Sequence, residues 1–100
     1  MTRHVIIWKL KPQDSPKALK AVKSGIKEGL EGLQGQIPGL LEIQVNIEGL
    51  DSSTGDLMLD SLFESPEALA AYAVHPAHTA VAGGKVRPFT ELRSCFDYEL

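Results

Sequence analysis

The sequence predicts a single α+β domain in which two helices pack on one side of an antiparallel sheet. Three observations carry that prediction: four segments whose apolar residues alternate with period two, two segments with apolar residues at helical spacing, and a Ser-Pro pair opening each of these two. A chain of 100 residues with 43% apolar content supports one hydrophobic core and is too short for two, so residues 1–100 are read as one domain.

The first strand spans residues 3 to 10, with His4, Ile6, Trp8 and Leu10 on one face and Val5, Ile7 and Lys9 on the other. Both faces carry large apolar groups, so both are expected to be covered. Pro12 ends the strand, and Ser15-Pro16 supplies a hydroxyl N-cap with proline at the first helical position. The helix is predicted to run to about Leu33 or Gly35, burying the stripe Leu19, Val22, Ile26, Leu30 and Leu33. Lys17, Lys20, Lys23 and Lys27 lie off that stripe and read as a solvated face. Gly25, Gly29, Gly32 and Gly35 weaken the second half, each interior glycine costing about 1 kcal/mol relative to alanine.

Ile37-Pro38-Gly39 makes a turn into a second strand from Leu41 to Glu48, with Leu41, Ile43, Val45 and Ile47 facing inward. A polar loop from Gly49 to Gly55 leads to a third strand at Asp56 to Glu64. Ser65-Pro66 opens the second helix, and Pro76 breaks it, because proline lacks an amide donor and clashes with the carbonyl four residues earlier. A further helical segment runs from Pro76 to about Lys85, and residues 91 to 99 form the last strand, Leu92, Ser94, Phe96 and Tyr98 alternating with Arg93, Cys95, Asp97 and Glu99. The order β-α-β-β-α-β is ferredoxin-like: right-handed crossovers put both helices on one face of a four-stranded antiparallel sheet. The other face carries Val5, Ile7, Met58 and Leu62, too apolar for a soluble monomer, and a two-fold homodimer is the simplest cover.

Composition narrows the function classes. The net charge of −3 is mild and mixed in sign, with no basic stripe interleaved with aromatics, so nucleic acid is not an expected partner. No apolar run approaches the ~20 residues that span a bilayer, and the start lacks a signal-peptide pattern. The lone Cys95 cannot form an internal disulfide, in keeping with a reducing, cytoplasmic setting.

Chemistry concentrates in Tyr72-Ala-Val-His75-Pro-Ala-His78. If Pro76 opens the next segment, His75 takes the N-cap and His78 falls in the first turn, where the helix dipole disfavours imidazolium by ~0.3–1 kcal/mol. A neutral imidazole suits a general base near pH 7, and Tyr72 is placed to donate a hydrogen bond to an oxyanion. The plainer alternative is a core tyrosine with a satisfied hydroxyl, a capping His75 and a packed His78. No metal is expected, since His75 and His78 are three apart and His4 is the only further imidazole. Cys95 reads as a small strand hydrophobe.

These residues resemble the stress-responsive A/B barrel domain (Dabb) family, a branch of the dimeric α+β barrel superfamily. The resemblance rests on His4-Val5-Ile6-Ile7 with Lys9-Leu10-Lys11, Phe63-Glu64-Ser65, Tyr72 with His75-Pro76-Ala77-His78, Val86-Arg87-Pro88 and Phe96-Asp97-Tyr98. It implies a homodimer whose two sheets form a barrel, in a family most of whose members have no assigned activity and some of which are stress-induced plant proteins. One relative, a plant polyketide cyclase, performs an aldol cyclisation without cofactor, and its acid and base map onto Tyr72 and His78. The resemblance further implies a pocket between sheet and helices, to which His4, Ile6, Trp8, Leu59, His75 and Asp97 are assigned as ligand-binding residues. The chain departs from that cyclase in its first helix, which offers Leu19, Val22 and Ile26 where the cyclase has a pocket tyrosine, and at Leu57, where the cyclase has a histidine. Trp8 is bulkier than the usual residue and competes for the cavity. Three readings follow: a binder of a small carbonyl compound, a cofactor-free cyclase, isomerase or lyase using Tyr72 and His78, and a non-catalytic structural dimer.

Overall fold

The computed structural model describes residues 1–100. Its elements run β1 (Thr2–Leu10), α1 (Pro16–Glu31), β2 (Leu40–Asn46), β3 (Leu57–Phe63), α2 (Pro66–Val74), α3 (Pro76–Val81) and β4 (Thr90–Glu99). A π-helical turn at Ala82–Val86 and a 3-10 turn at Arg87–Phe89 join α3 to β4. The strands pair antiparallel in the order β2-β3-β1-β4, the ferredoxin-like arrangement expected from the element order. No helix is long and apolar enough to cross a membrane.

Local chemistry accounts for the helix starts. Ser15 and Ser65 are extended N-caps whose hydroxyls accept from the amides of Ala18 (3.0 Å) and Ala68 (3.1 Å), each followed by a proline that has no amide to leave unpaired. α1 ends at Glu31, short of the expected Leu33 or Gly35. The amides of Leu33 and Gln34 turn instead to carbonyls three residues back, at 3.1 and 3.2 Å, tightening the chain where glycines weaken the α-helix. Gly29 also serves packing: a Cβ there would stand 2.9 Å from Val81 Cγ1, so α1 approaches α3 more closely than alanine would allow. Lys17 and Lys20 are solvated as expected, but Lys27 is not simply so. Its Nζ donates to Glu31 and to the Val45 carbonyl, both at 2.7 Å, and ties α1 to β2.

The core lies between the sheet and the helices, built on Ile6, Trp8, Val45, Leu59, Phe63 and Tyr72 with Ile26 and Leu30 from α1. In β2 the inward row is Leu40, Ile43 and Val45, whereas Leu41, expected inside, is exposed. The pairing register shifts between Leu40 and Glu42, and this bulge turns Leu41 outward.

The facing of β4 is set by its register against β1. His4 stands opposite Asp97, Ile6 opposite Cys95 and Trp8 opposite Arg93, so the polar row of β4 lies on the helix side. The apolar row, Leu92, Phe96 and Tyr98, lies on the open face beside Ile7, and these four side chains are 63%, 70%, 42% and 45% exposed. Leu62, expected to be bare on that face, is buried within the chain, so the exposed apolar surface comes mainly from β4.

Candidate functional site

The break between α2 and α3 builds the site. Pro76 cannot continue the α2 hydrogen-bond ladder, and His75 swings to an extended conformation (φ −67°, ψ 134°). Its Nδ1 accepts from the Ala77 amide at 3.1 Å, so His75 caps α3 and its remaining ring proton sits on Nε2. That restart aims His78 back at Tyr72, the buried residue of α2. The two rings lie 4.2 Å apart, centroid to centroid, inclined at 36°. His78 Nδ1 is 3.3 Å from the Ala73 carbonyl oxygen, an atom that can only accept. The neutral imidazole therefore carries its proton on Nδ1 and leaves the Nε2 lone pair free.

Tyr72 is 2% exposed, packed edge-on against Phe63 with centroids 4.9 Å apart and against His4 at 6.4 Å. Its hydroxyl is buried and meets no hydrogen-bond partner in the protein. Native interiors seldom leave such a group unpaired, and those that persist call for a reason. Burial pushes the phenol up to about 12, which keeps it a neutral donor through the physiological range. His78 is held below the ordinary imidazole value of 6.5, first by burial, against an opposing pull from the Ala73 carbonyl, and further by the positive charges of Arg87 and Arg93. The direction is the one expected from the sequence, while its leading cause is desolvation rather than the helix dipole.

Both rings line a cavity of about 550 Å³ between sheet and helices. Ile6, Trp8 and Leu59 form its floor from the sheet, and Ala82 and Val86 of the π-helical turn bound it on the helix side. Trp8 thus walls the cavity without filling it. Arg87 and Arg93 complete the wall with Thr90.

His4, His75 and Asp97 are not in that wall. His75 is engaged in capping, and His4 Nδ1 donates to Asp97 Oδ1 across the β1–β4 pair. Cys95 Sγ joins them, 3.4 Å from Asp97 Oδ1 and 3.7 Å from His4 Nδ1. The three offer one ligand atom each within 4.8 Å of one another, a set one donor short of the tetrahedral protein sites that hold structural zinc. Desolvation, with the neighbouring Asp97 carboxylate, raises the Cys95 thiol.

Of the residues singled out from sequence, Tyr72, His78, Ile6, Trp8 and Leu59 are brought together around one cavity. Arg87 and Arg93 went unassigned. The β4 alternation puts Arg93 on the same face as Asp97; Arg87 stands in the Val86-Arg87-Pro88 stretch that carries the resemblance, but its place in the wall depends on the π-helical turn before it.

Residues 2–100 match the family described as Stress Responsive A/B Barrel Domain (Dabb). Among solved structures, a dimeric protein of unknown function and ferredoxin-like fold from Bacteroides fragilis is 28% identical and superposes with a TM-score of 0.89, covering 99% of this chain and 95% of its own. A Dabb family protein from Mesorhizobium loti, 20% identical, gives a TM-score of 0.76 over 99% of this chain and 95% of its own. A hydroxynitrile lyase from Passiflora edulis, 17% identical, gives 0.73 over 99% and 92%. At these last two identities the likeness speaks for the fold alone. No protein of curated function matches the sequence.

Proposed function

This chain belongs to the stress responsive A/B barrel domain family, and from that premise we propose that it binds a small carbonyl compound in the cavity bounded by Tyr72 and His78. One observation carries the reading: the Tyr72 hydroxyl is buried beside His78 with no acceptor from the protein. Packing closes the hydroxyl off in the free protein, so a carbonyl oxygen reaches it only as neighbouring side chains shift, and it then gains a hydrogen bond for which no protein group has to be given up. The surrounding wall is mainly apolar, as small-molecule sites commonly are. Trp8 is the only tryptophan and lines the cavity, so its fluorescence reports occupancy directly. Titration with a panel of aryl and alkyl ketones should perturb Trp8 emission saturably in the wild type and more weakly in Tyr72→Phe. If no ketone binds, the helix break is only a packing device and the reading fails.

A second reading, proton transfer at the carbon next to that carbonyl, is favoured by the His78 tautomer. With Nδ1–H given to Ala73, Nε2 can take the α-proton; the C–H electron pair moves into the enolate, and Tyr72 stabilises its oxygen by hydrogen bonding. Return of the proton to carbon completes an isomerisation or exchange, and no cofactor enters the step. The test is α-deuterium exchange of a bound ketone in D₂O, followed by NMR. His78→Gln should slow exchange by about 10²–10⁴-fold, and an unchanged rate would remove His78 from the chemistry.

The functional unit in this proposal is a homodimer. The Bacteroides relative is dimeric, and the exposed row Leu92, Phe96 and Tyr98 with Ile7 needs an apolar cover.

A further inference from the structure

The charges around the cavity are of one sign. Its wall contains Arg87 and Arg93 and no carboxylate, in a chain whose net charge is −3. The two arginines come from different elements, the 3-10 turn and β4, so their convergence is a product of the fold and not of a local basic run. Neither is neutralised internally: the ion pairs of the chain are Arg3–Asp60, His4–Asp97 and Lys27–Glu31. Both charges act on His78, pushing its titration down, which places them near the imidazole as well as in the same wall. A guanidinium presents a planar fork of donors that matches a carboxylate.

We propose that Arg87 and Arg93 form an anion subsite, so that the compound bound beside Tyr72 carries a carboxylate as well as its carbonyl group. This rests on the binding reading above and adds to it the charge class of the ligand. The arginines act as specificity-determining groups, selecting an anionic carbonyl compound over a neutral one of the same shape. They also bear on the base: a bound carboxylate offsets the positive field at His78.

The test uses two probes of nearly equal shape, 4-acetylbenzoate and its neutral counterpart 4-acetylbenzamide, titrated against Trp8 fluorescence in the full-length protein. The expected result is that the carboxylate binds at least about tenfold more tightly at low salt and that this preference shrinks as KCl is added. Arg87→Gln and Arg93→Gln should each lower affinity for the carboxylate by about tenfold or more and narrow its preference over the amide. Both side chains are exposed at the cavity rim, so these variants should fold as the wild type does, and the salt dependence of the wild type is an independent reading. Equal affinities for the two probes, or a preference that survives both substitutions, overturns the anion subsite while Tyr72-dependent binding of the amide keeps the carbonyl reading intact. Failure of both probes to bind overturns both. Inorganic phosphate binding more tightly than 4-acetylbenzoate would mark a phosphate site and overturn the carboxylate assignment.

Discussion

Replacing Tyr72 with phenylalanine should make the protein more stable and a poorer receptor. The ring of Tyr72 is fully packed, with Phe63, His4 and His78 around it, and phenylalanine preserves all of those contacts. Only the hydroxyl is lost, and that hydroxyl is buried without a protein partner. A buried, unsatisfied polar group costs about 1–3 kcal/mol, so its removal should raise unfolding stability by that amount. For a domain of this size each kcal/mol shifts Tm by about 4–8 °C. The sign matters, because most core substitutions destabilise. Thermal melts followed by circular dichroism, at one fixed protein concentration since association would make Tm depend on it, read the effect directly. The alkaline limb supplies a second reading. Burial raises the phenol from its unfolded value near 10 to about 12, so the unfolded chain ionises first and stability falls as pH rises from 10 through 12, by about 3 kcal/mol. Tyr72→Phe should lack that fall. A variant that melts lower by more than about 1 kcal/mol would mean that the hydroxyl has a favourable partner in the free protein, and the argument that it waits for a ligand would be refuted.

Three further outcomes are expected. His78 has a depressed folded pKa, so the stability it contributes is present above its unfolded value of 6.5 and is lost as pH falls through the folded one; its NMR-monitored midpoint should lie below 6.5, and His78→Gln should flatten the acid limb of the stability curve. Gly39 has φ +83° and a Cβ there would stand 2.6 Å from Ala68 Cβ, so Gly39→Ala should lower the stability read from urea midpoints by about 1–3 kcal/mol; no loss would show that β2 and α2 separate easily. Phe96 is 70% exposed on the open sheet face beside Tyr98, and Phe96→Glu should convert a dimeric mass in light scattering to a monomeric one, whereas a monomeric wild type would contradict the covered-face argument.

The elements of this fold are legible in the sequence because short-range physics makes them. Ser15-Pro16 and Ser65-Pro66 start helices through their own hydroxyls and fixed backbone, Pro76 breaks one by lacking an amide, and period-two alternation marks β1 well enough to name its buried row. His75 as a cap was readable for the same reason: its partner amide is two residues away. What escaped depends on partners far along the chain. The outward turn of Leu41 is a bulge against β3, and the early end of α1 goes with the turns that follow it.

The site divides along the same line. The sequence by itself determined that a phenol and two imidazoles meet at a helix break, since seven contiguous residues contain them all. Alternation sorts β4 into two rows without saying which is inside, and only the tertiary structure, through the pairing of β4 with β1, turns Leu92, Phe96 and Tyr98 outward. That choice places Arg93 in the cavity wall and pairs Asp97 with His4. It also required three dimensions to find the Tyr72 hydroxyl unpaired: a residue's type states what it can bond, and only the packing of every neighbour states that nothing in the protein bonds it.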